Sequence, residues 1–454
     1  MKYEWSDNSS DKLSVHRAIP EGGLINTDAQ VTFGIEMEFL VPYIIKGQPD
    51  PHANDPRPVI ELTEEDAMYS SRPSEAILRQ IRSKIDHLFS GTEEIHMSSD
   101  LLMMGYHGTG NKEHKKWTLK EDQSLTECAY VQDEFAYSED ESYAGWVSVE
   151  IVSRIFRSEH ASDIARNAWV IGQIARNVRW DIRCRINDTC GLHVHVGLED
   201  SLPHRLHGLK KLATVLWLAE DLLEKLYHPA RREENRPLNF YCRSMKKCSL
   251  LGTTSVADMN DPNDEFYQKY LHEIFQKDRS LALKMGEIWA TESTERLIEL
   301  LGPASGWMER LSYNFQSLDR IDGHGTLEFR AMESTMNEEL LKHWPYVCQM
   351  LLRIAKRHPE ADHGGRTESE CYRDLIKVLV DRPEGFDTWA FLKLIYVDED
   401  TIKFFKKKQE WDAESWEQLS AGGSPRELHN YTFQYRPSAE FFATKQMSEY
   451  GYTQ

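Results

Sequence analysis

Apolar and polar residues alternate one by one in four stretches of this chain. In residues 31–45 (VTFGIEMEFLVPYII), Phe33, Ile35, Met37 and Phe39 fall on one side, and Gly34, Glu36 and Glu38 on the other. In 146–153 (WVSVEIVS), Val147, Val149 and Ile151 oppose Glu150. In 190–198 (CGLHVHVGL), Leu192, Val194, Val196 and Leu198 oppose Gly191, His193, His195 and Gly197. In 324–332, Leu327, Phe329 and Ala331 oppose Thr326, Glu328 and Arg330. A pleated strand sends successive side chains to opposite faces, so each stretch predicts a strand with one core face and one ionisable face.

Helical spacing predicts a helix start at Thr63–Asp66 and helices over 73–89, 160–180, 204–227 and 337–357, with 262–300 mostly helical. A further strand is expected over 309–318, joined to 324–332 by a turn through Asp322, Gly323 and Gly325. Four prolines make 46–58 a loop, 102–125 reads as loop with short strands, and the acidic stretch 132–142 reads as a solvated loop. The last hundred residues read as helical to about Lys407 and looser beyond. No repeat or low-complexity segment appears. The expected organisation is a polar lead-in over 1–30, a main domain over 31–360 and a partly helical C-terminal extension over 361–454 packed on it.

Charge narrows the function classes. The 454 residues carry 54 Lys plus Arg against 74 Asp plus Glu, a net charge of −20. Such a chain is not expected to grip nucleic acid through a broad basic face, nor to dock on anionic lipid. A site for a nucleotide must bring its own local positive charge or bound metal. The seven cysteines are widely spaced with no CxxC pair, which reads as reduced thiols. No apolar run of membrane-spanning length occurs and the N-terminus has no signal-like stretch, so a cytoplasmic location is expected.

The four polar faces carry the chemistry. An ordinary solvated face would mix Thr, Ser, Lys and charges of both signs. These hold Glu36, Glu38, Glu150 and Glu328, His193 and His195, and Arg330. Crowded carboxylates repel unless protons or cations sit between them. Carboxylate oxygens with one imidazole suit Mg²⁺ or Mn²⁺, and Glu36 and Glu38, two residues apart on one face, can serve neighbouring ions.

Five motifs then occur in order: GIEMEF (34–39), WTLKEDQSL (117–125), VEIVS (149–153), GLHVHVG (191–197) and GTLEFRAMEST (325–335). Over about residues 31–360 this set resembles the amidoligase family, a branch of the carboxylate–amine ligases with the glutamine-synthetase catalytic fold. The resemblance implies an α+β fold: a curved, largely antiparallel sheet with a metal-bearing inner face and helices on the outer face. It implies ATP-dependent amide-bond formation through an acyl phosphate, with two or more Mg²⁺ or Mn²⁺ ions. By position it makes Glu36, Glu38, His193 and Glu328 metal ligands, Glu150 the best further acid, and Arg330 the guanidinium on the transferring phosphoryl group. Asp122 lies in the Trp…Asp-x-Ser-Leu motif as a candidate contact to metal or the amine, and as a candidate base. His195 is expected to orient the nucleotide, the substrate or neighbouring strands. The glutamine synthetases carry a second Arg two residues before the metal Glu. Thr326 stands there in this chain, so Arg236 or Arg243, from the basic stretch 228–250, is expected to supply that charge.

Other readings of the same residues are a guanidino phosphotransferase, a nucleotide-independent hydrolase using the His-x-His strand with Cys184 and Cys190 nearby, and a silent binding protein. GYHGTGNK (105–112) misses the phosphate-loop pattern because Asn111 intervenes before Lys112, and reads as a loop. Arg231, Arg232, Lys246 and Lys247 read equally as basic surface or as charge for a phosphate. The expected partners are a small-molecule or peptide carboxylate and an amine. An oligomer is compatible with the sequence but nothing in it requires one.

Overall fold

The computed structural model describes residues 31–420 apart from 86–96, 99–116, 126–128, 137–142, 233–241, 306–309, 319–324, 356–366 and some shorter stretches. The lead-in, the 105–112 loop, Arg236, Asp322 and Gly323, and everything after Ser420 lie outside the described residues.

The fold is α+β. Its strands are β1 (Val31–Ile45), β2 (Ile60–Leu62), β3 (Met97–Ser98), β4 (Trp117–Glu121), β5 (Ala129–Val131), β6 (Glu134–Ala136), β7 (Gly145–Val152), β8 (Phe156–Ser158), β9 (Leu192–Leu198), β10 (Tyr313–Asn314) and β11 (Thr326–Phe329). Among the described residues nine of these form one sheet in the order β10-β11-β9-β1-β7-β4-β3, with β2 and β8 also paired to β1. Only β1–β2 and β3–β4 run parallel.

The long β1 strand is the spine. One side pairs with β7 and then β8, the other with β9. Ser153, between β7 and β8, keeps that seam closed: its hydroxyl accepts a hydrogen bond from Ile35 N at 2.8 Å and donates one to Arg154 O at 2.8 Å.

The apolar rows form the core as the alternation requires. Phe33, Ile35, Met37, Phe39, Val149, Ile151, Leu192, Val194, Leu327 and Phe329 are all buried in one cluster. Each such side chain taken from water contributes about 1.5–3 kcal/mol. Helix α1 (Arg72–Ile85) packs over β4 and β7, while α2 (Ala161–Asp181) packs on α4 (Glu338–Arg353), which covers β1 and β9; α3 (Leu202–Glu224) lies between α2 and α4 in the chain. α4 starts where Asn337 Oδ1 accepts from Glu339 N at 2.8 Å and Leu340 N at 3.4 Å, satisfying amides that have no partner within the helix. Its first residue, Glu338, takes the Arg176 guanidinium of α2, with Arg176 Nε at 2.7 Å from Oε1.

Four expectations need correction. The strand expected over 309–318 is two residues long, because Asn314 Oδ1 accepts from Gln316 N at 3.0 Å and turns the chain into a 3-10 turn over Gln316–Leu318. The 324–332 strand stops at Phe329. The acidic 132–142 stretch contains β6, paired with β5. The last helix, α5 (Glu399–Ser420), runs well past Lys407. Among the described residues no helix is long and apolar enough to cross a membrane.

Candidate active site

Strand register gathers the site. Glu36 lies opposite His193 across β1–β9, Glu38 opposite Glu150 across β1–β7, and Glu328 opposite His195 across β11–β9. Because all of these residues belong to the polar rows, their side chains emerge on one face of the sheet. Glu38, Glu150, His193 and Glu328 are all buried.

The tightest group is Glu36, His193 and Glu328, whose ligand atoms lie within 4.8 Å of one another. His193 Nδ1 is 3.0 Å from Glu36 Oε2 and 3.6 Å from Glu328 Oε1, and His195 Nε2 is 3.3 Å from Glu36 Oε1. Two carboxylate charges at this spacing repel by roughly 3 kcal/mol at an effective dielectric of about 20. Donor atoms this close would hold one divalent cation between them after small side-chain shifts. The donor set, two carboxylates and one imidazole, fits a hard divalent cation.

Arg330 sits beside this group and pairs through Nη1 with Glu328 Oε1. The other oxygen of Glu328 accepts from Asn314 Nδ2 at 2.7 Å and Ser317 Oγ at 3.1 Å. Burial opposes the charge on Glu328, but Arg330, His195 and His193 outweigh it and hold the carboxyl down at about 2. Burial likewise acts against Glu36, and the two imidazoles pull it well below the usual range. His195 rises despite its burial because Glu36 and Glu328 face it, and its Nδ1 lies 3.1 Å from Thr326 Oγ1. Thr326 therefore orients an imidazole in this chain.

On the other side of β1 the balance reverses. Burial, opposed by His193 and reinforced by Asp122, lifts Glu38 to about 7. Burial with repulsion from Glu36, Asp122 and Glu38 pushes Glu150 well above the normal value, against the pull of Lys120. Glu38 Oε2 accepts from Gly191 N at 2.5 Å, while Glu38 Oε1 and Glu150 Oε1 are buried with no hydrogen bond. Buried polar atoms ordinarily find a partner, so these two oxygens mark a place for a proton or a cation.

Asp122 follows β4 immediately and is close enough to act electrostatically on both Glu38 and Glu150. Arg243 is tied to the site through its backbone, which pairs with Arg310 and Ser312, and Ser312 O in turn accepts from Arg330 N at 2.9 Å. The basic stretch also brings Arg231 to the rim. It is buried, donates from Nη2 to Arg330 O at 3.0 Å, and lies under Gly191. A Cβ on Gly191 would stand 2.7 Å from His193 Nε2 and 3.0 Å from Arg231 Nη2, so only glycine fits between them.

Three neighbours escaped the sequence reading. Lys120 was legible as a polar-face residue, since Trp117 and Leu119 are core and the alternation puts Thr118 and Lys120 on the opposite face. Asn314 and Ser317 were not, because only the unforeseen turn aims them at Glu328. Cys184 and Cys190 are buried with thiols pushed up by that burial, and among the described residues neither joins a group able to hold a metal.

No curated protein matches the chain in a sequence comparison. A family model does, over residues 29–352, and it spans the five motifs and every strand of the sheet. On that match the chain belongs to the amidoligase family described as "Putative amidoligase enzyme".

Proposed function

We propose that the protein is an ATP-dependent carboxylate–amine ligase of the glutamine-synthetase structural type, working with two divalent cations. What supports this most is the grouping of Glu36, His193 and Glu328 beside Arg330 on one sheet face, in a member of the amidoligase family. Glu36, His193 and Glu328 would hold one cation. Glu38 and Glu150 would hold the other. Such ions, when bound, neutralise phosphate charge and hold the triphosphate in line.

The residues divide the remaining work. The Arg330 guanidinium, paired through Nη1 with Glu328, would present its remaining donors to the transferring phosphoryl oxygens. The substrate carboxylate oxygen bonds to the γ-phosphorus and ADP departs, which leaves an acyl phosphate. The amine nitrogen then bonds to the acyl carbon, phosphate departs, and a carboxylate takes the amine proton. Asp122 is the candidate for that proton. Arg231 fixes the backbone of Arg330, and Asn314 and Ser317 fix Glu328. Arg243 and Arg236 are further candidates for the phosphate's counter-charge, and His195 for orienting the nucleotide. The acid and amine are small molecules or peptides.

The experiment is a screen of acid and amine pairs with Mg-ATP, read by phosphate and ADP release. A ligase releases both only when acid and amine are present together, and Glu328→Gln stops it. Release of product from amides or esters without nucleotide would favour the hydrolase reading. A stable phosphorylated guanidine would favour the phosphotransferase.

A further inference from the structure

Lys120, Glu150 and Glu38 stand on three successive strands, β4, β7 and β1, as direct cross-strand partners. Lys120 Nζ lies 2.9 Å from Glu150 Oε2. The Lys120 side chain is 42% exposed, whereas those of Glu150 and Glu38 are 3% and 2% exposed. The lysine thus reaches from the open side of the face onto a carboxylate that is almost wholly enclosed. Beside that contact, Glu38 Oε1 and Glu150 Oε1 are buried without hydrogen bonds. In the triad of Glu36, His193 and Glu328 the carboxylates have the two imidazoles and Arg330 as their direct counter-charges, and Lys120 acts on Glu36 without an ion-pair contact to it among the described residues.

We propose that the Lys120 ammonium is a built-in counter-cation for Glu150, the outer member of the Glu38–Glu150 pair, and that it gates entry of the second divalent cation. This rests on the metal-dependent reading given above. An ammonium on Glu150 Oε2 and a divalent ion on the same carboxylate repel each other, so a second ion is held tightly only once Lys120 swings off. Its half-exposed stem leaves it room to do so. The two cation positions therefore load unequally: the triad first, the Glu38–Glu150 position later and more weakly. Once displaced, the ammonium remains on the open side of the face, next to Asp122, where an anionic substrate or phosphate would meet it. The step is an exchange of ion pairs. No covalent bond changes.

The test is Mn²⁺ binding to the full chain, followed by calorimetry and by electron paramagnetic resonance of the free ion. Wild type, Lys120→Met, Lys120→Gln and Lys120→Arg are compared, with metal-free thermal unfolding as the check on folding. The wild-type isotherm should show a second site at least tenfold weaker than the first. Met or Gln at 120 should tighten the second site at least tenfold and leave the first unchanged, whereas Arg should keep the inequality. His193→Ala should remove the first site and spare the second, which identifies them. Isotherms of the Met and Gln variants that superimpose on wild type would overturn the gating role while leaving the metal reading intact, as would two equal sites in the wild type. Absence of Mn²⁺ binding in every variant, with and without ADP, would overturn the metal reading and this inference together.

Discussion

Replacing Lys408 with methionine should cost the protein about 3–5 kcal/mol of stability, the usual penalty for removing one partner of a buried ion pair. Lys408 belongs to α5, outside the segment that matches the family. Its ammonium lies 2.6 Å from Glu333 Oε1 and 2.6 Å from Asp412 Oδ2, and it donates to Leu226 O at 2.8 Å. All three charged side chains are at most 1% exposed. Burial lifts the Asp412 carboxyl to about 7, only partly offset by Lys408. Glu333, against its own burial, stays below the normal value through Lys408 and His228.

Methionine matches the lysine stem but supplies no charge, so the buried Glu333–Asp412 pair loses its ammonium and takes up a further proton in the folded variant. A carboxyl held neutral above its unfolded value costs about 1.4 kcal/mol per pH unit. The sign follows: the folded variant binds more protons than its unfolded chain, so its stability falls as pH rises. The gap from wild type should therefore be smaller at pH 6 than at pH 8, by roughly 2–3 kcal/mol if one carboxyl is forced neutral throughout. Urea unfolding followed by tryptophan fluorescence at the two pH values measures this. Adding Glu333→Gln to Lys408→Met should restore much of the loss, since the stranded charge is gone. A Lys408→Met variant within about 1 kcal/mol of wild type at pH 8 would refute the reasoning, and so would a gap that does not change with pH. Because Glu333 pairs by backbone with Gly191, beside His193, the same experiment asks whether α5 unfolds as one unit with the site.

Glu36→Gln, His193→Ala and Glu328→Gln should each weaken the tightest Mn²⁺ site by at least about tenfold, and circular dichroism should show the fold retained; unchanged binding in all three would remove the triad as a metal site. Gly191→Ala puts a methyl group against His193 Nε2 and should lower Mn²⁺ affinity by about ten- to a hundredfold, whereas wild-type affinity would mean that the imidazole is not held there as a ligand. Mn²⁺ binding should also release protons. With its carboxyl at about 7, Glu38 carries roughly 0.9 proton at pH 6, which a cation must expel. Calorimetry in buffers of different ionisation enthalpy should show release at pH 6 that shrinks by pH 8.5, and equal release at both would contradict it.

What the amino-acid order determined here is local. The period-two alternation of β1, β7, β9 and β11 named both the core rows and the functional row, because the pleat of a single strand decides which face a side chain takes. The helix at α4 was legible in the same way, from its cap and its apolar stripe. Asp122 and Arg330 were legible from their motifs. The tertiary structure decided which rows meet. Glu36 faces His193 from 157 positions away, and Glu38 faces Glu150 from 112 positions away, through pairings that no local pattern encodes. It also decided that Asn314 and Ser317 hold Glu328, that Arg231 reaches the backbone of Arg330, and that Lys408 seals Glu333. These depend on turns and on distant segments arriving in register, and the free energy of arrival is collective: it comes from the shared core, where one residue's neighbours are fixed by every other pairing in the sheet.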